Sequence, residues 1–83
     1  MSHYNLGVVY AALGNPQAAI DAYEKALRIN PDYLQARFNL ALTYSAIEKR
    51  ELAFDQYRIL KEMDKTLSDK LFGLIDNNKP KRK

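Results

Sequence analysis

Asn5-Leu6-Gly7-Val8-Val9-Tyr10-Ala11-Ala12 and Asn39-Leu40-Ala41-Leu42-Thr43-Tyr44-Ser45-Ala46 are two versions of one pattern, 34 residues apart. Asn, Leu, Tyr and Ala return at the same places, and Gly7 and Val8 stand against Ala41 and Leu42. The register continues outward. Ala19 stands against Ala53, Asp21 against Asp55 and Tyr23 against Tyr57. A further shift sets Phe38 against Phe72 and Leu40 against Leu74. The chain therefore holds two full units and the first part of a third. A period of this length marks an array in which each unit buries its apolar face against its neighbours.

Every unit reads as a pair of helices. Gly14-Asn15-Pro16 breaks the first unit: glycine closes a helix in the left-handed conformation, asparagine caps the next helix, and proline suits its first turn. From Pro16 to Ile29, apolar residues fall at Ala19, Ile20, Tyr23, Ala26 and Leu27, one face of a 3.6-residue period. Asp21/Lys25 and Glu24/Arg28 are spaced for pairing on the opposite side. Asn30-Pro31-Asp32 separates this helix from one over Tyr33–Ile47, and a fourth spans Arg50–Met63. Thr66 and Asp69 are spaced like a capping box for a fifth, Leu67–Ile75. The fold class is all-α. The ordered part is 1–76, with repeat one at 1–33, repeat two at 34–65 and a closing helix at 66–76; 77–83 reads as a basic disordered tail. Small residues (Gly7, Ala19, Ala26, Ala41, Ala53) mark close helix approaches, and Tyr10, Tyr23, Tyr44 and Tyr57 fill the gaps between neighbours.

The spacing Leu6-Gly7-x-x-Tyr10, Gly14, Ala19-x-x-x-Tyr23-x-x-Ala26 and Pro31 resembles the tetratricopeptide repeat, and Leu40, Ala41, Tyr44, Ala53, Tyr57 and Leu60 repeat it. His3 and Arg37 stand where the family often has tryptophan; Glu48 replaces the turn glycine and Lys65 the closing proline. The resemblance implies an α-solenoid of antiparallel hairpins that binds protein partners. It also implies that the first helix of each unit lines a concave groove. The groove positions are then Tyr4, Asn5, Val8, Ala11 and Ala12 in unit one. Unit two supplies Gln35, Phe38, Asn39, Leu42, Ser45 and Ala46, and Phe72 stands in the partial third. A row of Tyr4, Phe38 and Phe72 either receives an apolar side chain of a bound segment or fills gaps between repeats. Asn5 and Asn39 begin a ladder of amides suited to a peptide backbone, each offering a donor and an acceptor; the alternative is two ordinary helix-surface asparagines. A carboxylate clamp for acidic chaperone tails, known in one subgroup, is not expected, because Tyr4 occupies the place of its lysine.

Composition narrows the rest. With 83 residues there is room for one modest core. There is no cysteine and a single histidine, His3, so neither a disulfide framework nor a histidine-based metal cluster fits one copy of the chain. Glu51 and Asp55 share a helix face with Lys49, Arg50 and Arg58 and read as solvated charges. No catalytic constellation or cofactor is expected. Lys79, Lys81, Arg82 and Lys83 supply four of the 13 positive charges against 10 negative ones, so the body is near neutral. Nucleic acid is not the expected partner on that ground. The tail itself suits a nuclear-import or anionic-surface motif less well than an ordinary chain end. The longest apolar run, Leu6–Gly14, is too short to span a membrane. No Lys or Arg precedes it, as a signal peptide would require, so the expected location is cytoplasmic.

The first helix is apolar on all sides from Leu6 to Leu13. Such a helix belongs inside a structure. Its outer face is expected either to join a longer repeat array or to form a homodimer in which Val9 and Leu13 take part.

Overall fold

The structure is a computed structural model and describes residues 2–77. It contains α1 (His3–Ala12), α2 (Pro16–Ile29), α3 (Leu34–Ala46), α4 (Arg50–Met63) and α5 (Lys65–Asn77). The expected all-α repeat architecture is present. α1 and α2 form one hairpin and α3 and α4 the next, while α5 packs against α3 and α4. α1, α3 and α5 touch in succession and make one layer; α2 and α4 make the other. Asn77, expected to begin the tail at 77–83, instead ends α5; residues 78–83 lie outside the described residues.

Three helix starts, those of α1, α2 and α5, are capped by a side chain. The Ser2 Oγ accepts from the Asn5 N–H at 3.1 Å, and the Asn15 Oδ1 accepts from the Ala18 N–H at 3.3 Å just before Pro16. Asn30 folds back to accept from the Asp32 N–H at 3.2 Å, which turns the chain toward α3. The start of α5 corrects the capping-box expectation. The helix begins at Lys65, and the Asp64 Oδ1 accepts from the Leu67 N–H at 3.0 Å. Asp64 thus takes the capping place that the spacing assigned to Thr66, whose position already lies inside the helix. Asp69 pairs instead with Lys65 at 3.6 Å.

The two turns within the hairpins are built alike. In the first, the N–H groups of Gly14 and Asn15 donate to the carbonyls of Ala11 and Tyr10 at 3.1 and 2.9 Å. In the second, Glu48 and Lys49 donate to Ser45 and Tyr44 at 3.1 and 2.8 Å. Both need a left-handed residue. Gly14 has φ 79° at no steric cost, whereas Glu48 is held at φ 65° with its Cβ against the backbone. Lys49 then precedes α4 as its N-cap residue, without a side-chain hydrogen bond to the helix.

Between helices the small residues are fully buried. Ala19, Ala36, Ala41 and Ala53 have no exposed surface, and Leu60, Leu71 and Ile75 complete the core at the α5 end. At Gly7 the helices approach so closely that a side chain is excluded. A Cβ there would lie 2.5 Å from Cε1 and 2.6 Å from Cδ1 of Tyr23, a buried ring with no room to withdraw. The 34-residue counterpart, Ala41, does carry a Cβ, and Tyr57, the counterpart of Tyr23, packs against Phe72 with centroids 5.5 Å apart.

Two stability changes follow. Gly7→Ala should destabilise the domain by about 1–2 kcal/mol, because overpacking outweighs the gain in helix propensity. Denaturant melts check this, and an unchanged midpoint contradicts the close approach. Glu48→Gly should raise stability by about 0.5–1 kcal/mol by relieving the left-handed strain; the same melts would show a lower midpoint if the turn were unstrained.

Candidate partner-binding surface

The layer formed by α1, α3 and α5 presents the residues implied for the groove. α1 contains no Asp, Glu, Lys or Arg, and Asn5, Val8, Ala11 and Ala12 on it are exposed. On α3, Gln35 and Ala46 are exposed, Asn39 and Leu42 are half-buried, and Ser45 is buried. The only formal charge on α3 is Arg37, which is already engaged. Its Nη1 donates to the Gln56 Oε1 at 2.8 Å and its Nη2 to the Pro31 carbonyl at 3.0 Å, tying α3 to α4 and to the preceding loop. Burial lowers the Arg37 pKa, with nearby Asp32 opposing the shift. The surface of α1 and α3 is therefore neutral, and acidic side chains return only at Asp69 and Asp76 on α5.

An apolar cavity of about 320 Å³ opens where α1 and α3 end, lined by Ala11, Pro16, Leu42, Thr43, Ala46 and Ile47 together with Gly14. At the opposite end of α1, the Tyr4 ring lies 5.0 Å from Tyr33 and 6.0 Å from Tyr23. The Asn39 Nδ2 donates to the Tyr4 hydroxyl at 3.2 Å, joining α3 to α1. Burial raises the Tyr23 pKa, and a hydrogen bond with Asn39 partly opposes this.

The aromatic row divides into two clusters. Tyr4 packs with Tyr33 and Tyr23; Phe72 packs with Tyr57 and, at 6.0 Å, with Phe54. Phe38, only 9 % exposed, lies in the core between them. Phe72 remains 45 % exposed, so its outer edge is open. The two asparagines also differ. Asn39 is held by Tyr4, whereas the Asn5 side chain faces solvent. Val9 and Leu13 stand apart from this surface on the outer side of α1, 42 % and 74 % exposed.

Two contributors escaped the repeat pattern. Tyr33 stacks on Tyr4, but its 34-residue counterpart is Leu67, so no period marks it. Glu24, spaced to pair with Arg28, accepts instead from the Tyr44 hydroxyl at 2.9 Å. Neither Glu24/Arg28 nor Asp21/Lys25 forms an ion pair among the described residues; Asp55 pairs with Arg58, as a solvated charge would.

An array of helix hairpins related by 34 residues, with first helices α1 and α3 that present a neutral surface, defines a repeat scaffold for protein interaction. The chain belongs to the tetratricopeptide repeat family: models described as tetratricopeptide repeat match residues 1–33 and 22–65. Among curated relatives, the uncharacterized protein ycf37 of Pyropia yezoensis is 39 % identical over 67 residues, 76 % of this chain and 38 % of that protein. The photosystem I assembly protein Ycf3 of Acaryochloris marina (strain MBIC 11017) is 35 % identical over 52 residues, 60 % of this chain and 31 % of that protein. The chain thus spans about a third of the length of these relatives. No solved structure matches it. The family is typically a non-catalytic scaffold for protein partners. Among the described residues, no helix is long and apolar enough to cross a membrane.

The Tyr44–Glu24 bond gives a pH dependence. Burial, then the hydrogen bond and charge of Glu24, and finally Asp21, push the Tyr44 hydroxyl up to about 12 from its ordinary 10.0. The folded pKa lies above the unfolded one, so the folded state holds this proton more tightly at alkaline pH. This contribution is whole below pH 10 and is lost as pH rises through about 12. Unfolding free energies measured across that window should fall less steeply for Tyr44→Phe than for the parent chain. Equal slopes would remove Tyr44 from the account.

Proposed function

We propose that the chain holds an extended, uncharged segment of a protein partner on the face of α1, α3 and α5. The observation that carries this reading is the neutrality of α1 and α3 beside an apolar cavity at Ala11, Leu42 and Ala46. Desolvating a charged segment against α1 and α3 would cost more than that surface returns, since α1 carries no charge and Arg37 of α3 is already engaged. A neutral backbone with small apolar side chains meets complementary chemistry: the Asn5 amide for peptide groups, the cavity and the edge of Phe72 for side chains. Tyr4, Gln35, Val8 and Phe38 shape the same face, Phe38 from beneath. Asn39 supports it by fixing Tyr4, so its substitution changes the surface as well as any direct contact.

One relative is named a photosystem I assembly protein. We infer a similar use here, in which the scaffold keeps a partner's segment in place while a larger complex is put together. No step of bond chemistry is required of it.

The test is a peptide array of ten-residue segments, followed by calorimetry on the best binder. Asn5→Ala should weaken binding by about 1 kcal/mol through loss of a backbone hydrogen bond. Leu42→Glu should weaken it by more, by placing a charge beside the cavity. Circular dichroism should show unchanged helicity in both. Selection of strongly charged segments, or affinities untouched by both substitutions, would refute the reading.

A further inference from the structure

Another apolar cavity, of about 230 Å³, opens where α1 begins and α2 ends. Ala26 is buried and forms its floor. His3 and the rings of Tyr4 and Tyr33, all half-buried, form its walls, and Ser2, Ile29 and Asn30 are exposed at its mouth. No Asp, Glu, Lys or Arg lines it. The 34-residue register shows what such a place holds when it is filled. The counterpart of Ala26 is Leu60, whose isobutyl group has no exposed surface. The counterpart of Ile29 is Met63, which is half-buried, whereas Ile29 is 73 % exposed. Tyr33 is larger than its counterpart Leu67, yet its ring stands against Tyr4 at 5.0 Å and leaves the space over Ala26 open. The first unit thus lacks the branched aliphatic group that completes the second.

We infer that this cavity receives a single leucine side chain from an uncharged segment of a protein partner. Its volume is below the roughly 300–1,000 Å³ of sites that enclose a drug-sized molecule, and suits one branched side chain. The apolar floor and walls take the isobutyl group out of water, and no charge has to be desolvated to admit it. The mouth supplies hydrogen-bond donors. The Ser2 Oγ accepts from the Asn5 N–H and the Asn30 Oδ1 from the Asp32 N–H. The Ser2 hydroxyl hydrogen and the Asn30 amide hydrogens are left, among the described residues, to donate to the carbonyls that flank the leucine. Only Tyr4 is shared with the α1–α3–α5 face, and Ala11 and Leu42 line a different cavity, so this docking does not rest on the segment proposed for that face.

The probe is an uncharged, end-blocked peptide, Gly-Ser-Leu-Ser-Gly, titrated into chain with isotopically labelled alanine and isoleucine methyl groups and followed by NMR. Saturable shifts are expected at Ala26 and Ile29. The same peptide with alanine for leucine should bind about tenfold more weakly, from loss of the buried isobutyl group. Free 3-methylbutanol, which carries that group without a peptide, should also bind about tenfold more weakly, since it meets fewer of the donors at the mouth. The chain variant Ala26→Leu rebuilds the filling of the second unit and should abolish the shifts at Ile29 with helicity unchanged by circular dichroism. If that variant loses helicity, Ala26→Val fills part of the space and should weaken binding severalfold. Leu42→Glu, at the other cavity, should leave the affinity unchanged. The inference is overturned if no saturable shift appears, if the leucine and alanine peptides bind alike, or if the folded Ala26 variant keeps full affinity. It is also overturned if Leu42→Glu abolishes binding, or if the alcohol binds as tightly as the peptide, which would make the cavity a small-molecule site.

Discussion

The approach of α1 to α2 at Gly7 and Tyr23 governs how the first hairpin closes, and the rest of the array follows from it. An absent Cβ lets a full tyrosine ring lie against the α1 backbone. With that ring seated, Tyr23 reaches Asn39 on α3, and Tyr4 of α1 comes within a hydrogen bond of the same amide. One small residue therefore places three helices relative to one another. At the next hairpin, Ala41 carries a Cβ, and Tyr57 packs against Phe72 of α5. The two units are copies in sequence but not in packing.

The same interlock separates the residues that hold the array from those left to meet a partner. Asn39, Phe38 and Ser45 sit at groove positions, yet much of their surface is engaged within the chain. Asn5, Val8, Ala11, Ala12 and Gln35 are exposed. Arg37 follows the same logic: the only cation of α3 is bound to Gln56 and the Pro31 carbonyl, with its Nε buried. Charge that a sequence count assigns to the surface is thus withdrawn from it, and the remaining face is neutral. Such a face gains little from electrostatic steering and depends on shape and hydrogen bonding.

Glu48 shows how the array tolerates a poor local fit. Its left-handed backbone is sterically unfavourable for a residue with a Cβ. Two backbone hydrogen bonds close the turn as they do around Gly14, and the buried Ala53 and Ala41 keep α4 seated on α3. Packing over a whole hairpin outweighs a single strained residue, so the second turn keeps its shape without the glycine.

Sequence alone determined the repeat. The 34-residue period, the placement of Gly7, Ala19, Ala41 and Ala53, and the Gly14-Asn15-Pro16 break carry the helix order, most helix boundaries and the first-helix layer. These are local or periodic properties, written in side-chain size and backbone preference. Residue contacts across the period were decided only by the tertiary structure. Glu24 lies four residues from Arg28 but bonds Tyr44, twenty residues away; Tyr33 stacks on Tyr4 although its counterpart is a leucine; and Asp64, not Thr66, caps α5. Each outcome depends on which group the folded chain brings within about 3 Å and removes from water, a competition among distant partners that spacing along the chain does not encode.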